Sequence, residues 1–425
     1  MMNRIIRTAL AAACLAALPA AGECQAKILA RWVELGPDES SSVRVITDAA
    51  CPSVVFDGTP VPMATRSDSG AKFDNVKPAA FSVRGCEVAV PSGAISAVLD
   101  GKPLPLPRPN PQRIVVLGDT GCRLEGANIQ DCNDPHSWPF PTIAAAAAAA
   151  RPDLVIHVGD YHYRESACPA GRMGCSGSPS GYGWDAWNAD FFAPAAPLFD
   201  AAPLVLLRGN HEDCDRAGEG WFRFLDRLPM AAACRDFSGI FVSRLGDFGV
   251  VVVDGAKAAD PKDDPGALAA TLRQQLSEVL AKIPAEAWLV SHRPLDAMRA
   301  PSKGEEGNVV DNKVQELAFG SIMPAAVSML VAGHIHFFQA IDFAGARPPQ
   351  LVVGTGGDTL APMPPLSLVG ADINGARVKS SATYSGFGYM VWDRAGHGWA
   401  GTLFDTAGKP LQHCRLAGRA LACGS

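Results

Sequence analysis

The sequence predicts an α/β domain preceded by a small all-β sandwich domain. Three features indicate this order: short Val- and Ile-rich runs separated by turns, then a cluster of prolines, and then apolar runs that alternate with helical patterns. At 425 residues, the chain is long enough for two or three domains, each with its own core.

The first predicted domain covers residues 27–102. Its apolar runs, such as residues 42–46 and 87–90, have the length of strands and are separated by Gly, Pro, Asp and Ser. Residues 103–111 then have a proline at every second position. Because each proline removes a backbone donor and restrains the residue before it, we expect this stretch to be a linker rather than a helix or central strand.

The second predicted domain covers residues 112–425. Strands are expected at its apolar runs, which are residues 114–117, 154–158, 204–207, 250–253, 288–290 and 329–331. Helices are expected at residues 265–283 and in the alanine-rich stretch from Thr142. Most of the strands are followed directly by charged or imidazole side chains, at the end where open α/β sheets bind ligands.

Composition limits the classes of partner. Lys and Arg number 37 against 43 Asp and Glu, so the net charge of −6 indicates no basic surface for nucleic acid or for an anionic membrane. Hydrophobic residues make up 48% and charged residues 19%, which excludes a chain that is disordered throughout. An anionic substrate would therefore be held by local groups.

The first 26 residues have the layout of a secretory signal peptide. Arg4 and Arg7 precede an apolar run at residues 8–21, which is too short to span a bilayer. No later stretch reaches the roughly 20 apolar residues of a membrane helix. We therefore predict cleavage after Ala26 and export to the periplasm or secretion from the cell.

Cleavage after Ala26 leaves an even number of cysteines, which suits an oxidising compartment. They fall into five neighbouring couples: Cys51 with Cys86, Cys122 with Cys132, Cys168 with Cys175, Cys214 with Cys234 and Cys414 with Cys423. The sequence alone leaves their connectivity open. Because no C-x-x-C pair occurs, we interpret them as disulfide staples rather than as a zinc ribbon or a thioredoxin-like site.

Five short motifs follow predicted strands and carry oxygen or imidazole donors. They are Gly118-Asp119-Thr120-Gly121, Gly159-Asp160-Tyr161-His162-Tyr163, Gly209-Asn210-His211-Glu212, Val290-Ser291-His292 and Gly333-His334-Ile335-His336. Each is weak alone, since a Gly-Asp pair is commonly a turn and a single His is commonly a core residue. Together, each after its own apolar run, they predict one metal site at the edge of the sheet.

The donors indicate two metal ions rather than one. Asp and His without thiolates suit borderline or hard metals, and these donors are too numerous for a single four-coordinate ion. Because alternate residues of an extended chain point to the same side, His334 and His336 can each serve one of two neighbouring ions. A carboxylate between the ions would complete the site.

The ordered motifs GD-x-G, GD-x-x-Y, GNHE, V-x-H and GH-x-H resemble the purple acid phosphatase branch of the calcineurin-like metallophosphoesterases. The resemblance covers residues 112–339, and the tyrosine at position 163 is its distinguishing feature. It implies a metallophosphoesterase-type β-sandwich flanked by helices. We expect the small domain before it to be fibronectin- or immunoglobulin-like.

The resemblance also implies a dinuclear centre of Fe(III) and a divalent ion, which would be Fe, Zn or Mn. The residues implied as ligands are Asp119, Tyr163 and His336 for the ferric ion, Asp160 as the bridge, and Asn210, His292 and His334 for the divalent ion. Tyr163 favours iron over zinc, because phenol titrates near about pH 10 and becomes a useful ligand only beside a strongly Lewis-acidic cation.

The implied activity is hydrolysis of a small-molecule phosphate monoester at acidic pH, by attack of a metal-bound hydroxide. His211 is the predicted catalytic residue, which would assist phosphate binding or donate a proton to the leaving group; a supporting role behind the ligands is the alternative. Relatives carry another His soon after the V-x-H motif, whereas Arg293 follows here. Arg293 is expected either to clamp phosphate or to be a structural or surface residue.

Two other functions stay open at this point: a phosphodiesterase or phospholipase, and a non-catalytic module that binds phosphate or a cell surface.

Three weaker features of the sequence are interpreted as structural. We interpret residues 354–358 as a turn that could approach the site, and His162 as an exposed turn residue. The helically spaced Trp184, Trp187, Phe191 and Phe192 are predicted to be core.

Overall fold

The structure is a computed structural model that describes residues 27–424, except residues 72, 75, 260–263, 302–308, 311, 321 and 363–366. The predicted signal peptide at residues 1–26 lies outside the described residues. None of the helices in the described part of the chain has the length and apolar character needed to cross a lipid bilayer.

The N-terminal segment is all-β, as predicted. Its strands are β1 (Ile28–Leu35), β2 (Ser41–Thr47), β3 (Ser53–Phe56), β4 (Thr59–Pro62), β5 (Ala64–Ser67), β6 (Arg84–Ala89), β7 (Ala97–Leu99) and β8 (Lys102–Pro103). Strands β4, β3, β7 and β8 form a separate four-stranded sheet. Alternating apolar residues such as Val43, Val45 and Val54 form a core of their own between this sheet and strands β1, β2 and β6.

The remaining strands contain all of the runs predicted for the second domain. They are β9 (Arg113–Leu117), β10 (Leu124–Glu125), β11 (Asn128–Ile129), β12 (Leu154–His157), β13 (Leu204–Leu206), β14 (Ile240–Leu245), β15 (Phe248–Val253), β16 (Glu286–Ser291), β17 (Met298–Arg299), β18 (Val309–Val310), β19 (Val327–Ala332), β20 (Phe338–Phe343), β21 (Gln350–Val353), β22 (Asp372–Ile373), β23 (Ala376–Tyr384), β24 (Tyr389–Ala395), β25 (Gly398–Phe404), β26 (Pro410–Ala417) and β27 (Ala420–Gly424).

The helices are few and mostly short. They are α1 (Phe140–Ala149), α2 (Trp184–Trp187), α3 (Ala196–Ala201), α4 (Gly218–Gly220), α5 (Gly266–Val279) and α6 (Lys313–Phe319). Two π-helical turns, Asn188–Phe192 and Trp221–Leu225, continue α2 and α4. The predicted helices at residues 265–283 and from Thr142 are confirmed as α5 and α1, and α1 has a proline near its start, where the missing N–H costs nothing.

Two large sheets face each other. The first has the order β27-β26-β25-β24-β9-β12-β13-β1-β2-β6-β5, and the second has the order β14-β15-β16-β19-β21-β20-β23-β22. The side chains between them, such as Val116, Ile156 and Val250, are fully buried. Trp288 fills the centre of this layer, with its ring centroid 5.1 Å from that of Trp399. The predicted β-sandwich is therefore confirmed.

Helices cover the outer face of each sheet. Helices α1 and α3 pack on the first sheet in a core that also contains Trp184, Trp187, Phe191 and Phe192, so the core prediction for these aromatics is confirmed. Helix α5 packs on the second sheet through Leu272 and Leu276, and α6 through Val314. Strands β9, β12 and β13 are parallel, as are β15, β16, β19 and β21, so each group ends at one common edge.

The first sheet also continues into the N-terminal segment. Strand β1 pairs in parallel with β13, with Glu34 opposite Leu204, so strands β1, β2, β6 and β5 extend the first large sheet. The boundaries at residues 102 and 112 stay predictions, but the two segments share one hydrogen-bonded sheet. This pairing brings the connection between β5 and β6 to the side of the molecule that carries β13 and the loops after it.

All five predicted cysteine couples form disulfides. They are Cys51–Cys86, Cys122–Cys132, Cys168–Cys175, Cys214–Cys234 and Cys414–Cys423. Three of them lie in the loops that follow strands β9, β12 and β13, where long irregular segments have little secondary structure to hold them. A crosslink stabilises such a loop mainly by restricting the unfolded chain.

Candidate metal centre

The predicted ligands lie at the carboxyl ends of parallel strands from both sheets. Asp119 follows β9, Asp160 follows β12 and Asn210 follows β13, whereas His292 follows β16 and His334 follows β19. Because the two sheets face each other, these strand ends meet at one edge of the sandwich. The five motifs are thus brought together by the fold, as their position after strands predicts.

Three of these residues have a left-handed backbone conformation, which is uncommon for residues other than glycine. Their φ angles are 57° for Asp119, 57° for Asp160 and 68° for His334. Such conformations store strain and cluster at functional sites. The glycine before each one is needed for space: a Cβ on Gly118 would collide with Val158, and one on Gly333 would collide with the Asp119 carboxylate.

Asp160 lies at the centre of the cluster. Its Oδ2 atom accepts a hydrogen bond from the Tyr163 hydroxyl at 2.8 Å and lies 3.0 Å from Nε2 of His292. Its Oδ1 atom accepts the backbone N–H of His211 at 2.9 Å. The side chain is 1% exposed, so both oxygen atoms face protein groups rather than bulk water.

One group of predicted ligands lies on the Tyr163 side of Asp160. The Tyr163 hydroxyl is 3.3 Å from Oδ1 of Asp119 and 3.2 Å from Nε2 of His336. The same Nε2 atom is 3.3 Å from Oδ1 of Asp119. These are the three residues implied as ligands of the ferric ion, and the structure brings their donor atoms into mutual contact.

The other group lies on the His292 side. Nε2 of His292 is 3.2 Å from the side-chain oxygen of Asn210. Donor atoms of Asp160, His292 and His334 all lie within 4.8 Å of one another, a spacing that could hold a metal ion. All seven predicted ligands therefore join one cluster, with Asp160 between the two groups. Their roles as ligands stay predictions.

The imidazole orientations show that a cation fits this cluster. Nδ1 of His292 lies 2.8 Å from the carbonyl oxygen of Val158, and Nδ1 of His336 lies 2.8 Å from that of Thr359. A carbonyl only accepts, so each Nδ1 must carry the proton and donate it. In the neutral rings, Nε2 of His292 then presents a lone pair to the Asp160 carboxylate, and Nε2 of His336 presents one to the Asp119 carboxylate. Acceptors that converge in this way repel one another unless a proton or a metal ion lies between them.

The pKa shifts of His336 and Asp160 also indicate that the cluster attracts a cation. Burial by itself lowers the pKa of His336, but Asp358 and Asp119 outweigh it and raise that pKa to about 9. Burial would raise the pKa of Asp160, but His292 and His211 outweigh it and hold that pKa well below its usual value. The cluster therefore attracts positive charge strongly.

Tyr163 needs such a charge in order to ionise. Burial raises the pKa of its phenol well above the usual value, and Asp160 and Asp119 add to the effect. The guanidinium of Arg123 lies 4.8 Å from the ring centroid and opposes the shift, but it does not overcome it. A phenolate at this position therefore requires a cation in direct contact with its oxygen.

Glu212 fixes the loop that carries Asp160 and Tyr163. Its buried carboxylate accepts backbone N–H groups from Asp160, Tyr161, His162 and Gly209 at 2.8–3.1 Å. Glu212 was part of the GNHE motif, but the sequence assigned it no role. It joins the ends of β12 and β13, so it sets the distance between the Asp160 and Asn210 motifs.

Asp190 fixes the other end of the same loop and was missed from the sequence. It is fully buried and accepts the backbone N–H groups of Cys122, Tyr163 and Arg164, as well as the Nε–H of Arg164 at 2.5 Å. A lone acid inside an aromatic helical segment gives no sequence signal of such a role. Its contacts hold the backbone of Tyr163 against the loop after β9.

Residues 354–358 pack against the loop that carries Asp119. The N–H of Gly356 donates to the carbonyl of Gly118 at 3.0 Å, and that of Asp358 donates to the carbonyl of Asp119 at 2.9 Å. A Cβ on Gly356 would collide with the Gly118 carbonyl, so glycine is required for this approach. The segment places the Asp358 carboxylate 3.3 Å from Nδ1 of His336 and in a bidentate pair with Arg123.

His211 lies beside the cluster and is held by a carboxylate that the sequence did not reveal. Its Nδ1 atom is 2.9 Å from Oε1 of Glu165, and its Nε2 atom is 4.0 Å from Oδ2 of Asp160. Its ring centroid lies 3.9 Å from that of Tyr163. Burial would raise the pKa of Glu165, but His211 and Arg216 outweigh it and lower that pKa to about 2. The position of Glu165 two residues after Tyr163 was the only available signal.

The structure corrects one interpretation and gives the surroundings of Arg293. The expectation that His162 is exposed is wrong: the ring is buried, its Nε2 atom lies 2.9 Å from the carbonyl oxygen of Gly181, and it stacks on Tyr182. The loop between Cys168 and Gly183 folds over it, which the sequence did not show. Arg293, which had been expected to clamp phosphate or to be structural, lies with Nη1 2.9 Å from Nε2 of His334.

A dense cluster of carboxylates, imidazoles and a phenol at the edge of a β-sandwich is typical of metal-dependent hydrolases. The chain belongs to the calcineurin-like phosphoesterase family, whose sequence model matches residues 112–338. Members of this family use a dinuclear metal centre. The family predicted from the motifs is therefore confirmed. No curated protein matches the chain in sequence.

Solved structures show the same fold at low sequence identity. The purple acid phosphatase PPD1 isolated from yellow lupin (Lupinus luteus) seeds is 15% identical, with a TM-score of 0.55 over 90% of this chain and 72% of its own. A structure of PhoD is 12% identical, with a TM-score of 0.53 over 93% of this chain and 92% of its own. The likeness to both proteins shows a shared fold.

Proposed function

We propose that this chain is an exported phosphoesterase that hydrolyses phosphate monoesters at acidic pH with a dinuclear metal centre. The observation that carries the proposal is a convergence of acceptor atoms: Nε2 of His292 lies 3.0 Å from Oδ2 of Asp160 and 3.2 Å from the side-chain oxygen of Asn210, and His292 and Asp160 are both buried. Such an arrangement is unfavourable unless a proton or a metal ion lies between the acceptors. Its oxygen and nitrogen donors suit borderline or hard ions.

The donors divide between two ions about Asp160. Asp119, Tyr163 and His336 would hold Fe(III), since the phenol of Tyr163 ionises only beside a strongly Lewis-acidic cation. Asn210, His292 and His334 would hold divalent Fe, Zn or Mn, and Asp160 would bridge. When bound, the two ions would neutralise charge on the phosphoryl oxygens and lower the pKa of a water molecule enough for it to attack phosphorus.

His211 would act on the leaving group. Glu165 fixes one ring nitrogen, so the opposite nitrogen, Nε2, points toward the Asp160 side of the cluster. The contact with Glu165 orients the ring, so that a proton at Nε2 would face the leaving ester oxygen. Glu165 is therefore the residue that aims His211.

Export is supported by the five disulfides, since cysteine pairs persist in oxidising compartments and are rare in the cytosol. Together with the predicted signal peptide, this supports a periplasmic or secreted protein. Fractionation of cells that express the full chain, followed by sequencing of the mature N-terminus, tests this part of the proposal; an uncleaved cytoplasmic chain would contradict it.

Matched esters test the activity. Hydrolysis of an aryl phosphate monoester and of the corresponding bis-aryl diester should be measured with the same protein from acidic to neutral pH. We expect the monoester to be the better substrate, with the highest rate in acid. A preference for the diester would identify a phosphodiesterase instead, and phosphate binding without turnover of either ester would identify a binding module.

A further inference from the structure

The connection between β5 and β6 reaches from the N-terminal strands onto the catalytic loops. Phe73 stacks on Phe222 with ring centroids 5.6 Å apart, and Phe81 packs edge-on against Phe224 at the same distance. Arg223 donates from Nη1 to the carbonyl of Asp68 at 2.8 Å. These contacts are buried and apolar at their centre, so the connection has a fixed position on the catalytic side.

The same connection contacts the loop that ends at α2. The backbone N–H of Trp184 donates to the carbonyl of Ala80 at 2.9 Å. A Cβ on Gly183 would lie 2.6 Å from that carbonyl, so the close approach requires glycine. One residue earlier, the Tyr182 hydroxyl accepts a hydrogen bond from the ammonium of Lys77 at 3.2 Å, and the ammonium lies 5.1 Å from the centroid of the Tyr182 ring.

Tyr182 links this contact to the candidate active site. Its hydroxyl donates to Oε2 of Glu165 at 2.9 Å, while Oε1 of Glu165 contacts Nδ1 of His211 at 2.9 Å and Nε of Arg216 at 2.8 Å. A lysine ammonium can only donate, so the tyrosine oxygen accepts from Lys77 and its single hydrogen goes to Glu165. The direction of every hydrogen bond from Lys77 to His211 is therefore fixed.

We propose that Tyr182 is a positioning residue for His211, and that Lys77 of the N-terminal segment fixes Tyr182. This inference depends on one part of the proposed function, which is that His211 acts on the leaving group. Both oxygens of Glu165 are occupied by donors, so the carboxylate cannot rotate without breaking at least one hydrogen bond. The connection between β5 and β6 thus contacts, through the exposed Lys77, the residues that support His211.

Tyr182→Phe tests the role of the hydroxyl. We expect kcat to fall about 3- to 10-fold with KM changed less than about twofold, because the lost group orients a proton donor and does not touch substrate. The loss should be larger for an alkyl phosphate than for an activated aryl phosphate, whose leaving oxygen needs less help from a proton. Tyr389→Phe is the matched control, since that ring stacks on Phe404 in the core, and its kinetics should equal those of the wild type.

A double-mutant cycle tests the route through Glu165. Tyr182→Phe should have no further effect in a Glu165→Gln background, because Tyr182 acts only through that carboxylate. Lys77→Ala should cause a smaller loss of kcat than Tyr182→Phe, and Lys102→Ala, an exposed lysine in the same segment, should cause none. Equal losses from Tyr182→Phe in both backgrounds would overturn the proposal, as would full activity of Tyr182→Phe.

A spectroscopic measurement separates this proposal from the proposed function. The Hδ1 proton resonance of His211, assigned by its loss in His211→Gln, reports the hydrogen bond to Glu165 whether or not the protein is an enzyme. We expect it to shift upfield and exchange faster in Tyr182→Phe and to be unchanged in Tyr389→Phe. An unchanged resonance in Tyr182→Phe overturns the positioning role, whereas a wild-type chain that turns over no phosphate ester overturns the proposed function.

Discussion

Nε2 of His292 lies 3.0 Å from Oδ2 of Asp160, although the carbonyl of Val158 fixes the imidazole proton on the opposite nitrogen. Two acceptors held this close in a buried site require a positive charge between them. The rest of the cluster repeats this arrangement, since Nε2 of His336 faces Asp119 and Tyr163 in the same way. The fold therefore imposes an arrangement that a metal centre would stabilise.

Asp160→Asn removes one negative charge from the centre of the cluster and keeps the shape of the side chain. We expect hydrolysis of an aryl phosphate to fall at least about 100-fold, since even groups behind the ligands contribute about 10- to 100-fold at metal sites. Folding should be retained, as judged by circular dichroism. Asp185→Asn, at an exposed position on α2, is the control and should keep full activity; unchanged turnover in Asp160→Asn would contradict a bridging role.

Glu212→Gln replaces one of two acceptor oxygens by an amide that cannot accept. Because the carboxylate receives four backbone N–H groups in a buried position, two of them would lose their partner. We expect the free energy of unfolding to decrease by about 2–4 kcal/mol, measured by denaturant titration. Glu39→Gln, in the exposed turn before β2, should change it by less than about 0.5 kcal/mol. Equal stability of the two variants would show that Glu212 does not hold the loops together.

Glu165 makes the stability of the metal-free protein depend on pH in the acidic range. The pKa of Glu165 is about 2 in the folded protein, against its usual value of 4.5. The stabilising effect of its carboxylate is therefore present above about pH 4.5 and is lost as the pH falls toward about 2. The thermal unfolding midpoint of the wild type should therefore exceed that of Glu165→Gln near neutral pH. The two midpoints should converge in acid. A difference that stays constant over this range would contradict the ionic role of Glu165.

The disulfide Cys122–Cys132 closes a short loop beside Asp119. Replacing both cysteines by alanine should lower the free energy of unfolding by about 2–3 kcal/mol, because the unfolded chain gains the freedom of a loop of this length. The same double replacement of Cys414 and Cys423 is the comparison, since that pair joins strands β26 and β27 far along the sheet from the site. We expect both variants to lose stability, but only the Cys122 and Cys132 variant to lose activity as well. Equal activity of the two would show that the loop after β9 keeps its shape without the crosslink.

The sequence was sufficient to predict the ligand cluster because each of the five motifs follows a strand of its own. Apolar runs such as that of β9 predict buried strands, and parallel strands end at one edge, so residues such as Asp119 and His292 are expected to meet. Their contacts with Asp160 and Tyr163 agree with this expectation. The disulfide pairs were found for a related reason, since short loops favour the nearest partner.

The supporting residues could not be predicted in the same way. Glu165 and Asp358 lie in irregular segments and Asp190 lies in a short π-helical turn. An isolated acid at such positions has the same sequence appearance as a surface residue. His162 was expected to be exposed because nothing in the sequence shows that the loop before Tyr182 covers it. The pairing of Glu34 with Leu204 depends on long-range strand order, which local patterns do not determine.

The central claim is that seven side chains hold a dinuclear centre containing iron. The most direct test is the metal content and visible spectrum of the purified mature protein, with Tyr163→Phe measured beside it. We predict about two metal ions per chain, at least one of them iron, and a visible absorption band from the phenolate–iron contact that is lost in Tyr163→Phe. A wild-type protein that binds fewer than one metal ion per chain after incubation with iron and zinc would contradict the account.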